Sequence, residues 1–214
     1  MIPEQLREAL ESIRQIQRTV IDRQRFRGFS GRARVAAGIF ALIMAFVMRI
    51  AFPPTTRSHL IGWGIVLVVA LLLNGGAVSY WFLFDPRVRR DVRRLRPLMD
   101  TIPPLVVGGA LTAALVLRGQ HDYLFGVWMC MFGLSNLASR YVLPGPTVWV
   151  GLFYVVCGMA WWFLPDGGFL DPLPAGLVFC AGEVASGLIL HFDERRYLLL
   201  ERREAAVLAA DEGE

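Results

Sequence analysis

The distribution of charge constrains this chain more than any other feature. Long uncharged runs alternate with short segments that collect nearly all of the arginines. A helix must carry about 20 mainly apolar residues to cross the roughly 30 Å hydrocarbon layer of a bilayer. Six runs approach that length: 35–52, 59–84, 101–118, 122–140, 147–164 and 173–191. The expected fold is therefore all-α, a polytopic six-transmembrane-helix bundle. Residues 1–34 form a cytoplasmic segment before the bundle and residues 192–214 a cytoplasmic tail after it. Composition agrees, with 55% hydrophobic and only 19% charged residues, against about 25% charged in a typical soluble domain. The first run reads as an uncleaved anchor rather than a cleavable leader, because the 34 residues before it are polar and charged.

Orientation follows from the arginines. All 22 basic residues are Arg, as a GC-rich coding bias gives; the competing reading is a preference for the bidentate phosphate contacts that a guanidinium makes. On the alternating topology only Arg49, Arg57 and Arg118 fall on the far side, and the rest mark the cytoplasmic face. Both termini are then cytoplasmic, and the chain is expected in a bacterial inner membrane. The net charge of +4 could suggest nucleic acid. The arginines flank apolar runs, however, so membrane topology explains them and no nucleic-acid partner is expected. Trp63, Trp81, Trp149, Trp161 and Trp162 lie near the expected interfaces, as an aromatic belt does, while Trp128 lies deeper and reads as a packing residue.

Three polar segments flank the runs. Residues 3–27 carry an apolar stripe of Leu6, Leu10, Ile13 and Val20, interrupted by Gln17, with Pro3 at a first-turn position and glutamates preceding arginines. This is an amphipathic helix, lying on lipid or docking a partner protein. The loop 85–100 puts Val88, Val92 and Leu95 on one face and surrounds them with Arg87, Arg89, Arg90, Arg93, Arg94 and Arg96. Those arginines are expected to contact anionic lipid headgroups, at roughly 1 kcal/mol each; a nucleotide-like or phosphoinositide-like headgroup site is the rarer use of such a cluster. The tail lacks Gly and Pro until Gly213, so the last helix is expected to continue past the membrane and to pack on the N-terminal helix.

One ionisable group falls inside a span. Glu183 sits ten residues into the sixth run, near the midplane, where an ionised carboxylate must be paired, hydrated or neutralised. Asn74, Asn136 and Ser135 are its candidate partners, and Arg49 reaches it only if the first span tilts. A transporter or channel would use Glu183 as a coupling carboxylate; a structural Glu would hydrogen-bond a neighbouring helix. Asn74-Gly75-Gly76 interrupts the second run, either as a helix break lining a site or as a small-residue packing point. Gly126 and Gly133 are seven apart in the fourth run, as are Gly151 and Gly158 in the fifth, so each pair marks one helix face. Gly176 and Gly182 recur in the sixth.

No cofactor or metal is expected. His59 and His121 lie at the outer end and His191 at the inner end, which does not suit a bis-histidine haem. Cys130, Cys157 and Cys180 lie in apolar runs without metal-ligand spacing and read as small packing residues. No phosphate loop, zinc-protease helix, nucleophile elbow or paired-carboxylate motif is present. The plan of an amphipathic N-terminal helix, six spans, glycines in the later spans and a terminal His191, Arg195, Arg196, Tyr197 pattern resembles multi-pass bacterial membrane proteins. That resemblance implies no activity.

The leading expectation is a non-enzymatic subunit or regulator that engages a protein partner through its terminal helices, or packs in a larger or homo-oligomeric membrane complex. The alternative is a small secondary transporter or channel, and an intramembrane enzyme is third. The first expects deletion of residues 1–27 to lose the partner and Glu183→Gln to be mild. The second expects Glu183→Gln to abolish flux.

Overall fold

The computed structural model describes residues 28–84, 96–140, 143–164 and 168–211. The helix expected over residues 3–27 and Arg87, Arg89, Arg90, Arg93 and Arg94 lie outside the described residues. Six α-helices follow in order: α1 Gly31–Ala51, α2 Thr56–Phe84, α3 Arg96–Leu117, α4 Leu124–Ala138, α5 Thr147–Trp161 and α6 Leu173–Asp211. A short 3₁₀ turn, His121–Tyr123, precedes α4. No strand occurs among the described residues. Each expected apolar run holds one helix. Among the described residues four stretches are long and apolar enough to cross a membrane: Gly31–Ala51, Thr56–Phe84, Met99–Leu117 and Leu173–Leu199. Helices α4 and α5 have 15 residues each, or about 22 Å of rise.

Neighbours run in the order α2, α1, α6, α5, α4, α3, with the closest packing between α1 and α6 and between α4 and α5. Both tight interfaces are made of small residues, which let backbones approach where lipid gives no hydrophobic drive to association. The two heptad-spaced glycine pairs of α4 and α5 prove to be the two sides of one seam. An added Cβ at Gly133 would sit 2.7 Å from the Gly151 carbonyl oxygen, and one at Gly158 would sit 2.7 Å from that of Gly126. In α1 the buried stripe is Arg34, Gly38, Ala41, Ala45 and Met48, spaced four and three apart. It meets α6 antiparallel: Gly31 against Gly187, Gly38 against Cys180 and Glu183, Ala45 against Gly176. At the far end of this pair, exposed Arg49 bridges Asp171 at 3.6 Å.

Several local expectations are corrected. Helix α2 runs unbroken through Asn74, Gly75 and Gly76. A Cβ at Gly75 or Gly76 would meet nothing within 4 Å, so these glycines neither break the helix nor let a neighbour close. Gly75→Ala is expected to leave the fold intact and to stabilise it by roughly 0.5–1 kcal/mol, read as a raised unfolding midpoint in detergent. The sequence places Pro103 and Pro104 at the start of the third run, where a first-turn position would tolerate them; the helix instead begins earlier, at Arg96, and they lie inside α3. The carbonyls they leave free, of Met99 and Asp100, belong to exposed residues at the start of the helix, where water can satisfy them.

Trp63 is not part of an interfacial belt. It is buried in an aromatic cluster with Phe125 at 5.4 Å, Trp128 at 6.0 Å and Phe179 at 5.9 Å between ring centroids. Phe125 also packs on Trp161 and Phe169. This cluster closes the Arg49 end of the bundle, and its rings come from four helices and the loop before α6. His59 is buried beside Phe169, with Nδ1 against the Thr55 carbonyl at 3.1 Å. Trp149 and Trp162 are exposed, as expected of belt residues. Helix α6 continues to Asp211 without interruption, about 58 Å in all.

Candidate functional site

The most unusual chemistry lies at the other end of the α1–α6 interface. Ser30 caps α1, its hydroxyl accepting from the Ala33 amide at 3.4 Å. Starting the helix there puts Arg34 inside its first turn instead of in the preceding segment. The stripe that carries Gly38 and Ala41 into α6 carries Arg34 with it. Arg34 and Glu183 are 7% and 6% exposed. The guanidinium grips the carboxylate with two donors: Nε to Oε2 at 3.1 Å and Nη2 to Oε1 at 3.2 Å. Nη2 also donates to Asn136 Oδ1 of α4 at 2.7 Å, and Nη1 donates to the fully buried Ser186 hydroxyl. Four of the five guanidinium donors are thus spent within the protein.

The shell around the pair is equally fixed. Asn136 Nδ2 donates to its own helix at the Phe132 carbonyl, 2.9 Å away, which orients its oxygen toward Arg34. Fully buried Tyr154 of α5 stands beside Glu183, donates to the Phe179 carbonyl at 3.1 Å and has its ring against Gly182. Side chains from α1, α4, α5 and α6 therefore converge on one ion pair. Its depth follows from helix rise. Arg34 is fifteen residues from Arg49, and Glu183 twelve from Asp171, which places the pair about 18–22 Å from the exposed Arg49–Asp171 bridge. The pair thus lies toward the N-terminus of α1, well inside the α1–α6 interface.

Of the residues expected at this site, the structure brings Glu183 and Asn136 together and leaves the others elsewhere. Asn74 donates to the Ala70 carbonyl of its own helix at 2.9 Å. Ser135 donates to the Thr101 carbonyl of α3 at 3.2 Å, tying α4 to α3. Arg49 bridges Asp171. Arg96 is the first residue of α3. The residues that sequence reasoning missed are Arg34, Ser186 and Tyr154. Arg34 carries a legible signal, its place on the Gly31–Gly38–Ala41–Ala45 stripe; Ser186 and Tyr154 show none.

Chemically the arrangement is a closed ion pair. Neither charged side chain exceeds 9% exposure. An arginine does not give up its proton in a protein, so a relay through Glu183 would require the carboxylate to leave its guanidinium. An apolar groove of about 380 Å³ runs along the outside of α6, lined by Leu177, Cys180, Ala181, Val184, Ala185 and Leu188. It includes neither member of the pair. Among the described residues no group of three His, Cys, Asp or Glu side chains gathers as a metal site, and the three cysteines are free thiols. No family model matches this sequence, and comparisons with curated proteins and with solved structures return no match.

Proposed function

We propose that this chain is a six-span bacterial inner-membrane protein with both termini cytoplasmic, and that it acts as a non-enzymatic subunit or regulator docking a protein partner. One observation carries the reading. The start of α1 lies against α6 at Gly187 and His191, and the Arg34–Glu183 pair locks the two there. The chain therefore enters α1 and leaves the bundle along α6 at the same place. On this reading a partner meets both helices at that shared end, and the arginines of 85–96 serve anionic headgroups. The closed ion pair supports a scaffold more than a moving carboxylate, because its donors are already satisfied.

The alternative, a small transporter or channel coupled through Glu183, draws on one fact: charged groups this deep in an apolar bundle are often functional. The two readings part on a charge-free variant. Arg34→Leu/Glu183→Leu removes both charges together, so neither is left unpaired. On the docking reading, a partner chemically cross-linked to the full chain in its native membrane is still captured by this double variant and is lost on deletion of residues 1–27. The transporter reading requires the opposite: proton or ion flux in vesicles that the double variant abolishes and the deletion spares.

A further inference from the structure

The α5 side of the bundle is short. Helix α5 spans Thr147–Trp161, and its outward face carries Trp149, Leu152, Phe153, Val156, Met159 and Trp162. Tryptophans bracket this helix, Trp149 73% and Trp162 43% exposed, with Phe163 and Leu164 exposed in the turn just beyond it. Exposed tryptophans of a membrane helix settle at the two water interfaces. These two are thirteen residues apart, about 20 Å along the axis, whereas an ordinary hydrocarbon layer is about 30 Å thick. Sliding α5 cannot relieve the deficit. The glycine seam fixes it to α4, itself 15 residues long, and the Trp162 indole donates to the Tyr123 carbonyl at 3.4 Å, holding one end of both helices level. Tilting would shorten the face further.

The opposite flank is tall. Helix α2 packs on α1 and exposes apolar side chains from Ile61 to Phe84, about 35 Å of axis. A single bilayer cannot match both flanks at its resting thickness. We propose that the α5 face thins the membrane against it and is a binding surface for phospholipids with short acyl chains. The inference rests on the six-span reading, since α4 and α5 must cross the layer to compress it.

The experiment uses the full chain in phosphatidylcholine vesicles with monounsaturated chains of fourteen to twenty-two carbons. Relative lipid affinity is read from quenching of tryptophan fluorescence by the brominated eighteen-carbon lipid, in the native chain and in Trp149→Phe/Trp162→Phe, so that their difference reports the α5 face. At that face the fourteen-carbon lipid is expected to bind roughly threefold more strongly than the eighteen-carbon lipid, with affinity falling further in longer chains. Preference for eighteen carbons or more at that face would overturn the proposal. So would an absence of quenching at Trp149 and Trp162, which would mean that protein covers them. Maleimide labelling of single cysteines at Gly145 and Leu164 separates a failure of the underlying reading. Labelling from opposite sides is expected; labelling of both from one side would make the hairpin re-entrant and remove the proposal together with the six-span topology.

Discussion

Replacing Arg34 with leucine is expected to destabilise the protein by about 3–5 kcal/mol, the usual cost of removing one partner from a buried ion pair. The loss comes less from the missing contact than from what remains. Glu183 would keep its burial and lose both guanidinium donors, while Asn136 Oδ1 and the Ser186 hydroxyl would lose theirs. Glu183→Gln belongs with this variant and not among mild substitutions, because it leaves an arginine that cannot deprotonate without a counter-charge. Arg34→Leu/Glu183→Leu is expected to recover most of the loss, since an apolar pair of similar volume often matches a buried ion pair. The measurement is a double-mutant cycle on unfolding in mixed detergent micelles. A double variant as unstable as the sum of the single ones would show that the two side chains do not act as a unit.

The second large effect is expected at the α4–α5 seam. A Cβ on Gly158 would lie 2.6 Å from the Cys130 sulfur and 2.7 Å from the Gly126 carbonyl oxygen; one on Gly133 would lie 2.7 Å from the Gly151 carbonyl oxygen and 3.0 Å from the Val155 amide. The sulfur can turn aside, but the backbone atoms cannot, so alanine must push the helices apart. A cost of about 2–3 kcal/mol is expected for either substitution. Gly133→Ala/Gly158→Ala is expected to cost less than twice that, because one separation of the helices relieves both clashes. The same micelle unfolding measures it, with Gly75→Ala as the internal control. A neutral Gly133→Ala would show that the two backbones are not in contact there.

How far the sequence reveals this molecule differs from feature to feature. The six apolar runs locate the six helices of the described residues because charge inside a run is rare, Glu183 being the exception, so most interruptions in the uncharged pattern coincide with the loops. The heptad glycines marked the α4–α5 seam because small residues on one face have few uses besides close packing. Asn136 was recognisable as a polar group at Glu183's depth. Arg34 was not, because counting arginines as topology markers treats every arginine near a helix end as facing water. Its alternative role appears only when it is placed on the small-residue stripe of α1. Trp63 failed for a related reason: a tryptophan near the end of an apolar run resembles an interfacial anchor, and the rings that bury it come from Phe125, Trp128 and Phe179, far away in sequence. The length of the last helix was legible from the absence of Gly and Pro before Gly213, whereas the shortness of α4 and α5 depends on turns whose residues do not announce where each helix stops.

The ion pair also sets a clock. Arg34 and Glu183 are 149 residues apart, so the carboxylate is made well after the guanidinium. At about 5–20 residues per second the interval is about 7–30 s. During that time the guanidinium has no carboxylate to meet, and the α1–α6 contact that buries it has no second side. Closure of the α1–α6 interface is thus a late event of synthesis, set by the distance in sequence between the two charges.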